Sequence, residues 1–281
     1  MARYVLSTTE QRFEYKYLIN EFEAKAVADF VSSYTEADVH ADPAMGSSYP
    51  VLSIYLDSPD MALYFGTVQG EKNRFKLRIR YYDDRPGTPA FVEIKRRKND
   101  VIVKQRAGVQ KSAVLRLISS GFAAPDDLDV FSGKEFGDLT CFCETMTKMG
   151  ARPRIAVEYQ REAYVDRNGG PLRITLDRSI RCSIRDGGPM GALAGWWNSG
   201  DRDVMPHGQN WVDLRSRDAA RHGERDWLPL TDERVVLEIK FTESFPSWCA
   251  DMVRTLNLKR TSAAKYIRSV DALVDMGVGA M

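Results

Sequence analysis

Lysine, arginine and glutamate recur at every second position along several stretches of this chain. They are Glu14-x-Lys16, Lys76-x-Arg78-x-Arg80, Glu93-x-Lys95, Lys104-x-Arg106, Tyr159-x-Arg161, Arg173 and Glu238-x-Lys240. Residues two apart on a strand share a face. Each stretch read as a strand therefore carries one charged face and one apolar face. Arginine forks and lysine ammoniums suit phosphate oxygens. The carboxylates of Glu14, Glu93 and Glu238 are available to hold a divalent ion that bridges phosphates. Phosphoryl transfer asks mainly for positioning and charge neutralisation, and this inventory offers both. If the charged faces converge inside a curled sheet, they form a basic tunnel for a polyanion. The ordinary alternative is a set of wet faces on an antiparallel sheet. Against it stand the recurrence of the pattern, Glu placed two before Lys three times, and helices able to cover the apolar side.

The elements that must position these residues follow from periodicity and turn chemistry. Residues 11–19 form a first strand. Asn20 and Glu23 then make a capping box for a helix with Phe22, Ala26, Phe30 and Val31 on one side. Val51–Asp57 is a strand, broken at Ser58-Pro59-Asp60 and followed by a helical turn with Leu63, Tyr64 and Phe65. Residues 74–82, 91–95 and 101–106 are joined by short polar turns and form an antiparallel meander. A helix runs from Gly137 or Asp138 to Met149, where Gly150 and Pro153 stop it. Residues 155–165 and 172–177 flank Asn168-Gly169-Gly170, a hairpin turn. Residues 186–230 are Gly- and Trp-rich without a period. Val235–Phe241 is a strand, Pro246 and Trp248 open a helix, and Ser262–Met276 makes a last helix with Ala263, Ile267, Val270 and Val274 on one face. These elements predict an α+β fold: an antiparallel β-barrel or tunnel with a charged lumen, flanked by helices. No linker or repeat divides residues 1–281, so one domain is expected.

The bulk numbers narrow the function. The chain has 281 residues, 43% hydrophobic and 28% charged, and a net charge of only +1. A polyanion site must therefore come from local concentration of charge, and non-specific nucleic-acid binding is not expected. The four cysteines (Cys141, Cys143, Cys182, Cys249) and three histidines (His40, His207, His222) lack zinc-site or disulfide spacing. There is no apolar leader and no stretch near the ~18 apolar residues of a membrane span, which predicts a cytoplasmic protein. No phosphate-binding glycine loop, nucleophile elbow or H-E-x-x-H motif is present.

The order of these motifs resembles the VTC domain, the polyphosphate polymerase branch of the triphosphate tunnel metalloenzymes. The resemblance is carried by Arg12-Phe13-Glu14-Tyr15-Lys16-Tyr17-Leu18-Ile19, Ser53-Ile54-Tyr55-Leu56-Asp57, Lys76-Leu77-Arg78-Ile79-Arg80-Tyr81, Glu93-Ile94-Lys95 and Tyr159-Gln160-Arg161-Glu162-Ala163-Tyr164. Leu172-Arg173-Ile174-Thr175-Leu176-Asp177, Leu237-Glu238-Ile239-Lys240 and Ala264-Lys265-Tyr266 extend it from Arg12 to about Ile267. It implies that Lys16, Arg78, Arg80, Lys95, Arg161 and Arg173 line a tunnel and hold phosphates. It implies that Tyr159 contacts phosphate, that Glu238 is the metal carboxylate for Mn²⁺ or Mg²⁺, and that Lys265 closes over the phosphate chain. Lys76, Lys104, Arg106 and Lys240 join them as substrate-binding residues of the alternating pattern. Two positions depart from the superfamily: Arg12 stands where an E-x-E-x-K motif would begin, and Ala264 stands where a serine precedes the lysine. The implied activity transfers the terminal phosphoryl group of ATP onto polyphosphate. Hydrolysis of tripolyphosphate or a nucleoside triphosphate, and polyphosphate binding without turnover, remain open. A product that crosses a membrane would need a membrane-protein partner.

Overall fold

The computed structural model describes residues 12–41, 47–83, 85, 87–98, 101–183, 227–230 and 234–275. The irregular 186–230 segment lies almost wholly outside the described residues. Ten strands form one sheet. They are β1 (Arg12–Ile19), β2 (Thr35–Ala37), β3 (Ser48–Asp57), β4 (Asn73–Tyr81), β5 (Ala90–Lys98), β6 (Val101–Val109), β7 (Arg152–Asp166), β8 (Arg173–Ser183), β9 (Leu228–Pro229) and β10 (Val235–Thr242). The order is β1-β10-β8-β7-β3-β4-β5-β6, with β2 added to β7 and β9 to β8. Every pairing is antiparallel.

The sheet curls without closing into a hydrogen-bonded barrel. Its end strands β1 and β6 approach each other but do not pair in the ladder. Across the seam Lys95 on β5 donates to Glu14 on β1 at 2.7 Å. The curl has local causes. Register slips occur between Glu158 and Gln160 on β7 against β8, and between Tyr55 and Leu56 on β3 against β7. The extra residue on β8 falls at Ser179, at φ 50°. Bulges bend a strand and raise its twist.

Six helices complete the described fold: α1 (Glu21–Val31), α2 (Ala62–Val68), α3 (Val114–Ser120), α4 (Gly133–Lys148), α5 (Ser247–Thr255) and α6 (Lys265–Asp275). Asn20 and Glu23 form the capping box of α1, each accepting the other's backbone N–H at 2.8 Å. The face of α1 that meets the sheet is Ala24, Val27 and Val31, and Phe22 is 83% exposed. Of the expected Phe22–Ala26–Phe30–Val31 face, Val31 is buried and Phe30 packs partly against the core, while Phe22 points outward. Helix α4 starts four residues earlier than the earlier expected start, Gly137, because Ser132 caps it by accepting from Glu135 N.

Two hydrophobic clusters coat the outside of the curl. Leu77, Ile79, Val92 and Ile94 pack under Leu117 and Ile118 of α3 and Leu139, Phe142 and Met146 of α4. Tyr17, Ile174, Leu237 and Ile239 pack under α1 and under Cys249 and Met252 of α5. These are the residues that alternate with the charged ones, so burial of the apolar face turns the charged face inward.

Helix α6 lies on the concave side instead. Tyr266, Val270 and Leu273 pack with Ile155, Val157, Cys182 and Val236, which are lumenal positions by register. Its buried stripe is thus 266–270–273, and Val274, expected inside, is 47% exposed. The segment before it runs along the free edge of β1, where Thr261 N donates to Lys16 O at 2.8 Å. That route delivers Lys265 into the lumen.

Asp57, fully buried, fastens α6 to the wall. Its carboxylate accepts from the backbone N–H of Ser58, Leu63 and Tyr64 at 2.8–2.9 Å. It also accepts from the hydroxyl of Tyr266 at 2.5 Å. Asp57→Ala should therefore leave several buried donors unmet and lower unfolding free energy by roughly 2–4 kcal/mol. Urea denaturation measures it; a loss under ~0.5 kcal/mol would show that α6 docks without this anchor.

Candidate functional site

The concave side encloses a cavity of about 250 Å³. Of the residues expected to line a tunnel, Glu14, Lys16, Lys76, Arg78, Arg80, Lys95, Tyr159, Arg161, Glu238, Lys240 and Lys265 do so. Register explains the convergence: Glu14 faces Lys240 and Lys16 faces Glu238 across β1 and β10. Likewise Lys76 faces Lys95 and Arg78 faces Glu93 across β4 and β5. The cavity wall also includes Tyr55, Arg74, Arg96 and Arg97, which the sequence reading did not single out. Arg74 and Arg97 continue the lumenal alternation by one step on β4 and β5, which is the signal that identifies them.

Four expected residues lie elsewhere. Glu93 is fully buried behind the wall, and its carboxylate meets Arg78 Nε at 2.5 Å and Lys104 Nζ at 2.5 Å, with Arg106 Nε at 3.6 Å. Lys104 and Arg106 are thus committed to Glu93 and not to the cavity, and Arg106 also lies 3.5 Å from the ring centroid of Phe91. Glu93 is thus shared among three cations and does not line the cavity, where Glu14 and Glu238 stand. Arg173 pairs with Asp38 at 2.5 Å and donates to Tyr49 Oη at 3.0 Å, which holds it away from the cavity.

The carboxylates that remain are heavily shared. Lys16 Nζ lies 2.5 Å from Glu14 and forms a second ion pair with Glu238. Glu238 also meets Lys240 at 2.9 Å and Lys265 at 3.3 Å. Burial pushes the Glu238 acid up, but Lys16, Lys240 and Lys265 outweigh it and hold the group well below the usual carboxylate range. Asp177, which carried no assigned role, is fully buried and takes a two-pronged Arg161 at 2.7 and 2.8 Å and Lys265 at 2.5 Å. Two residues after Thr175 and four after Arg173, it follows the lumenal phase of β8. Lys265 Nζ lies 4.8 Å over the ring of Tyr159.

Arg80 and Lys76 have no such partner among the described residues. Arg80 contacts Ser53 Oγ at 3.2 Å and Tyr159 Oη at 3.4 Å, with no carboxylate ion pair among the described residues. Burial, then Lys95, Lys16, Arg78 and Arg74, drives the Lys76 ammonium down to about 7. Lys240 is lowered to about 8, mainly by burial, with Glu238 resisting the shift. A polyanion favours charged Lys76, so binding near pH 8 should take up a proton, and affinity should rise as pH falls from about 8 towards 6. Calorimetry in buffers of different ionisation enthalpy would measure this uptake. If Lys76→Met shows the same uptake as the parent, Lys76 is not its source.

The donor set suits a divalent ion at one place. Glu14 and Glu238 present hard oxygens to a shared point, now occupied by the Lys16 ammonium. Among the described residues no group of three or more metal-ligating side chains exists. Mg²⁺ commonly takes one or two carboxylates and completes its shell with water and substrate phosphates. The pair fits an ion of that kind and does not fit a closed all-protein cage.

A family model described as the VTC domain matches residues 11–274. The chain belongs to the VTC domain family. It is 25% identical over 238 residues to "Vacuolar transporter chaperone complex subunit 4" of Schizosaccharomyces pombe, a match covering 79% of this chain and 32% of that protein. The chain thus spans about a third of that relative's length. Among solved structures it is similar to a protein from Pyrococcus horikoshii OT3, with TM-score 0.43, 12% identity, 94% of this chain and 99% of that chain. A Bacillus halodurans protein described as a candidate adenylate cyclase matches with TM-score 0.48, 10% identity, 91% of this chain and 94% of that chain. Two acidic groups, Glu14 and Glu238, stand on the cavity wall. No described helix is long and apolar enough to cross a membrane.

Proposed function

We propose that this VTC domain is a metal-dependent polyphosphate polymerase that moves the terminal phosphoryl group of ATP onto a growing phosphate chain. The observation that carries the reading is the cavity wall, where Arg74, Lys76, Arg78, Arg80 and Arg161 converge; Arg78 and Arg161 are paired with Glu93 and Asp177, while Lys76 and Arg80 have no carboxylate ion pair among the described residues. Like charges at close range in a poorly solvated space repel, and a chain of phosphates relieves that repulsion along its whole length. A compact monoanion would answer only part of it.

In this reading Arg78, Arg80 and Arg161 grip non-bridging oxygens and hold donor and acceptor in line. Lys16, Lys76, Lys95 and Lys240 neutralise charge along the chain, and Tyr159 Oη, already next to Arg80 and Arg161, donates to an oxygen between them. Lys265 reaches the same oxygens from the N-terminal end of α6. Glu14 and Glu238 would hold Mn²⁺ or Mg²⁺, which supplies further charge neutralisation on the transferring phosphoryl group. Arg173, Lys104 and Arg106 act at one remove, through Asp38 and Glu93. We place the domain in the cytoplasm, with a membrane-protein partner if its product leaves that compartment; the relative's designation as a complex subunit supports a partner.

Incubation with ATP and Mn²⁺, followed by gel separation of long anionic polymer and assay of free phosphate, tests the proposal. Polymer is the expected product. Phosphate without polymer would make the protein a hydrolase, and tight tripolyphosphate binding with neither product would make it a binding module.

A further inference from the structure

The ion pairs at Glu14 and Glu238 are unusual in one respect. Lys16, Lys95, Lys240 and Lys265 all touch one of these carboxylates, yet only Lys16 touches both. Its Nζ lies 2.5 Å from Glu14 Oε1 and in an ion pair with Glu238 Oε1. An Mg²⁺ ion would sit at about 2.1 Å from each oxygen. The point available to the metal and the point taken by the ammonium are therefore nearly the same, and both cannot be occupied. Lys16 also lines the cavity and its side chain is 23% exposed, so a flexible four-carbon stem can carry the charge off the carboxylates and into the lumen.

We propose that Lys16 is a built-in counter-ion that fills the divalent-metal position between Glu14 and Glu238 in the substrate-free protein and leaves it when a phosphate chain enters. The inference rests on the polyphosphate reading for its second half only; the first half concerns metal and protein alone. The exchange leaves each charge paired: the added positive charge of the divalent ion is matched by the negative charge of the entering phosphates. A phosphate oxygen offers Lys16 a new anionic partner, the carboxylates are freed, and a divalent ion joins them to the same phosphates. Metal and phosphate then load together, and the empty domain does not hold a stray metal that would favour hydrolysis of whatever enters. Of the two carboxylates Lys240 and Lys265 touch Glu238 alone, so neither occupies the point between them.

The test uses the intact chain and reads free Mn²⁺ by electron paramagnetic resonance, with no phosphate present. The parent is expected to bind Mn²⁺ weakly. Lys16→Met should tighten binding on the order of tenfold or more, the scale of removing a cation from within a few ångströms of the site. Lys16→Gln should do the same and serves if the Met variant folds poorly. Adding Glu238→Gln to Lys16→Met should abolish the gain. Equal Mn²⁺ affinity in parent and both Lys16 variants overturns the proposal, as does a gain that survives Glu238→Gln. A separate titration with tripolyphosphate in chelator-treated buffer should show weaker binding in Lys16→Met than in the parent. Unchanged binding there would refute the transfer of Lys16 to phosphate. No binding of tripolyphosphate by the parent would sink the polyphosphate reading itself, while leaving the Mn²⁺ result to stand on its own.

Discussion

Replacing Asp177 by Asn is expected to destabilise the empty protein by roughly 3–5 kcal/mol, the scale of leaving a buried charge without its partner. Asp177 is completely buried and is the shared anchor of Arg161 and Lys265. Without its charge, those two cations face Arg80 and Lys16 across the lumen with only Glu238 left nearby. The Asn side chain keeps the volume, so packing around α6 is preserved and the change is electrostatic. A bound phosphate chain replaces the lost carboxylate. Tripolyphosphate should then raise the melting temperature of Asp177→Asn more than that of the parent, because any ligand that binds only the native state stabilises it by mass action. Paired thermal melts with and without ligand read both effects. A variant as stable as the parent, or one stabilised no further by tripolyphosphate, would mean that Arg161 and Lys265 are satisfied by solvent.

Catalysis should respond in the opposite sense to affinity. In the parent, Asp177 and Glu238 hold Lys265 on the wall of the cavity, and burial, which disfavours its charge, is overcome by these two acids so that its ammonium titrates above the ordinary range. Its position is set by α6, which Asp57 fixes through Tyr266. The lumen is thus a lattice in which every acid serves two or more cations. Removing an acid frees cations to bind phosphate more tightly but releases them from the geometry that phosphoryl transfer needs.

The alternation was legible because it is a strict consequence of strand geometry. On β4 the sequence 75–81 separates Leu77 and Ile79 from Arg78 and Arg80 without ambiguity, and the sheet buries the two sets on opposite faces. Legibility failed where the phase of the strand changes. The bulge at Ser179 moves Ile180 and Cys182 onto the lumenal side, so β8 reads as ending at Asp177 although it runs to Ser183. It also failed where charge alone could not assign a partner. Glu93 and Glu238 stand in the same Glu-x-Lys motif, yet Glu93 is walled in by Lys104 and Arg106 of the adjacent hairpin strand and Glu238 opens on the cavity. Only the cross-strand register separates them. Helix α6 was misjudged for a related reason: a stripe of apolar residues says that a helix is buried, not on which side of the sheet.

Arg80→Met should show the reverse of Asp177→Asn. Arg80 is 6% exposed; its guanidinium contacts the hydroxyls of Ser53 and Tyr159 and lies 5.9 Å from the ring centroid of Tyr82, with no carboxylate ion pair among the described residues. Burial disfavours its charge and Arg161 adds repulsion, offset chiefly by Tyr159 and by Glu93 at longer range. Methionine keeps the apolar stem and fills much of the space. Removing the charge leaves no carboxylate without its ion-pair partner, since Glu93 keeps Arg78 and Lys104. Stability of the empty protein should hold or rise. Tripolyphosphate binding should weaken by roughly 1.5–3 kcal/mol, the range for a hydrogen bond to a charged group, which is about a ten- to hundredfold rise in Kd. Urea denaturation and calorimetry on the same preparation give the two numbers. A variant that loses stability while binding tripolyphosphate as well as the parent would make Arg80 a structural cation of the wall and would remove it from the phosphate-binding set.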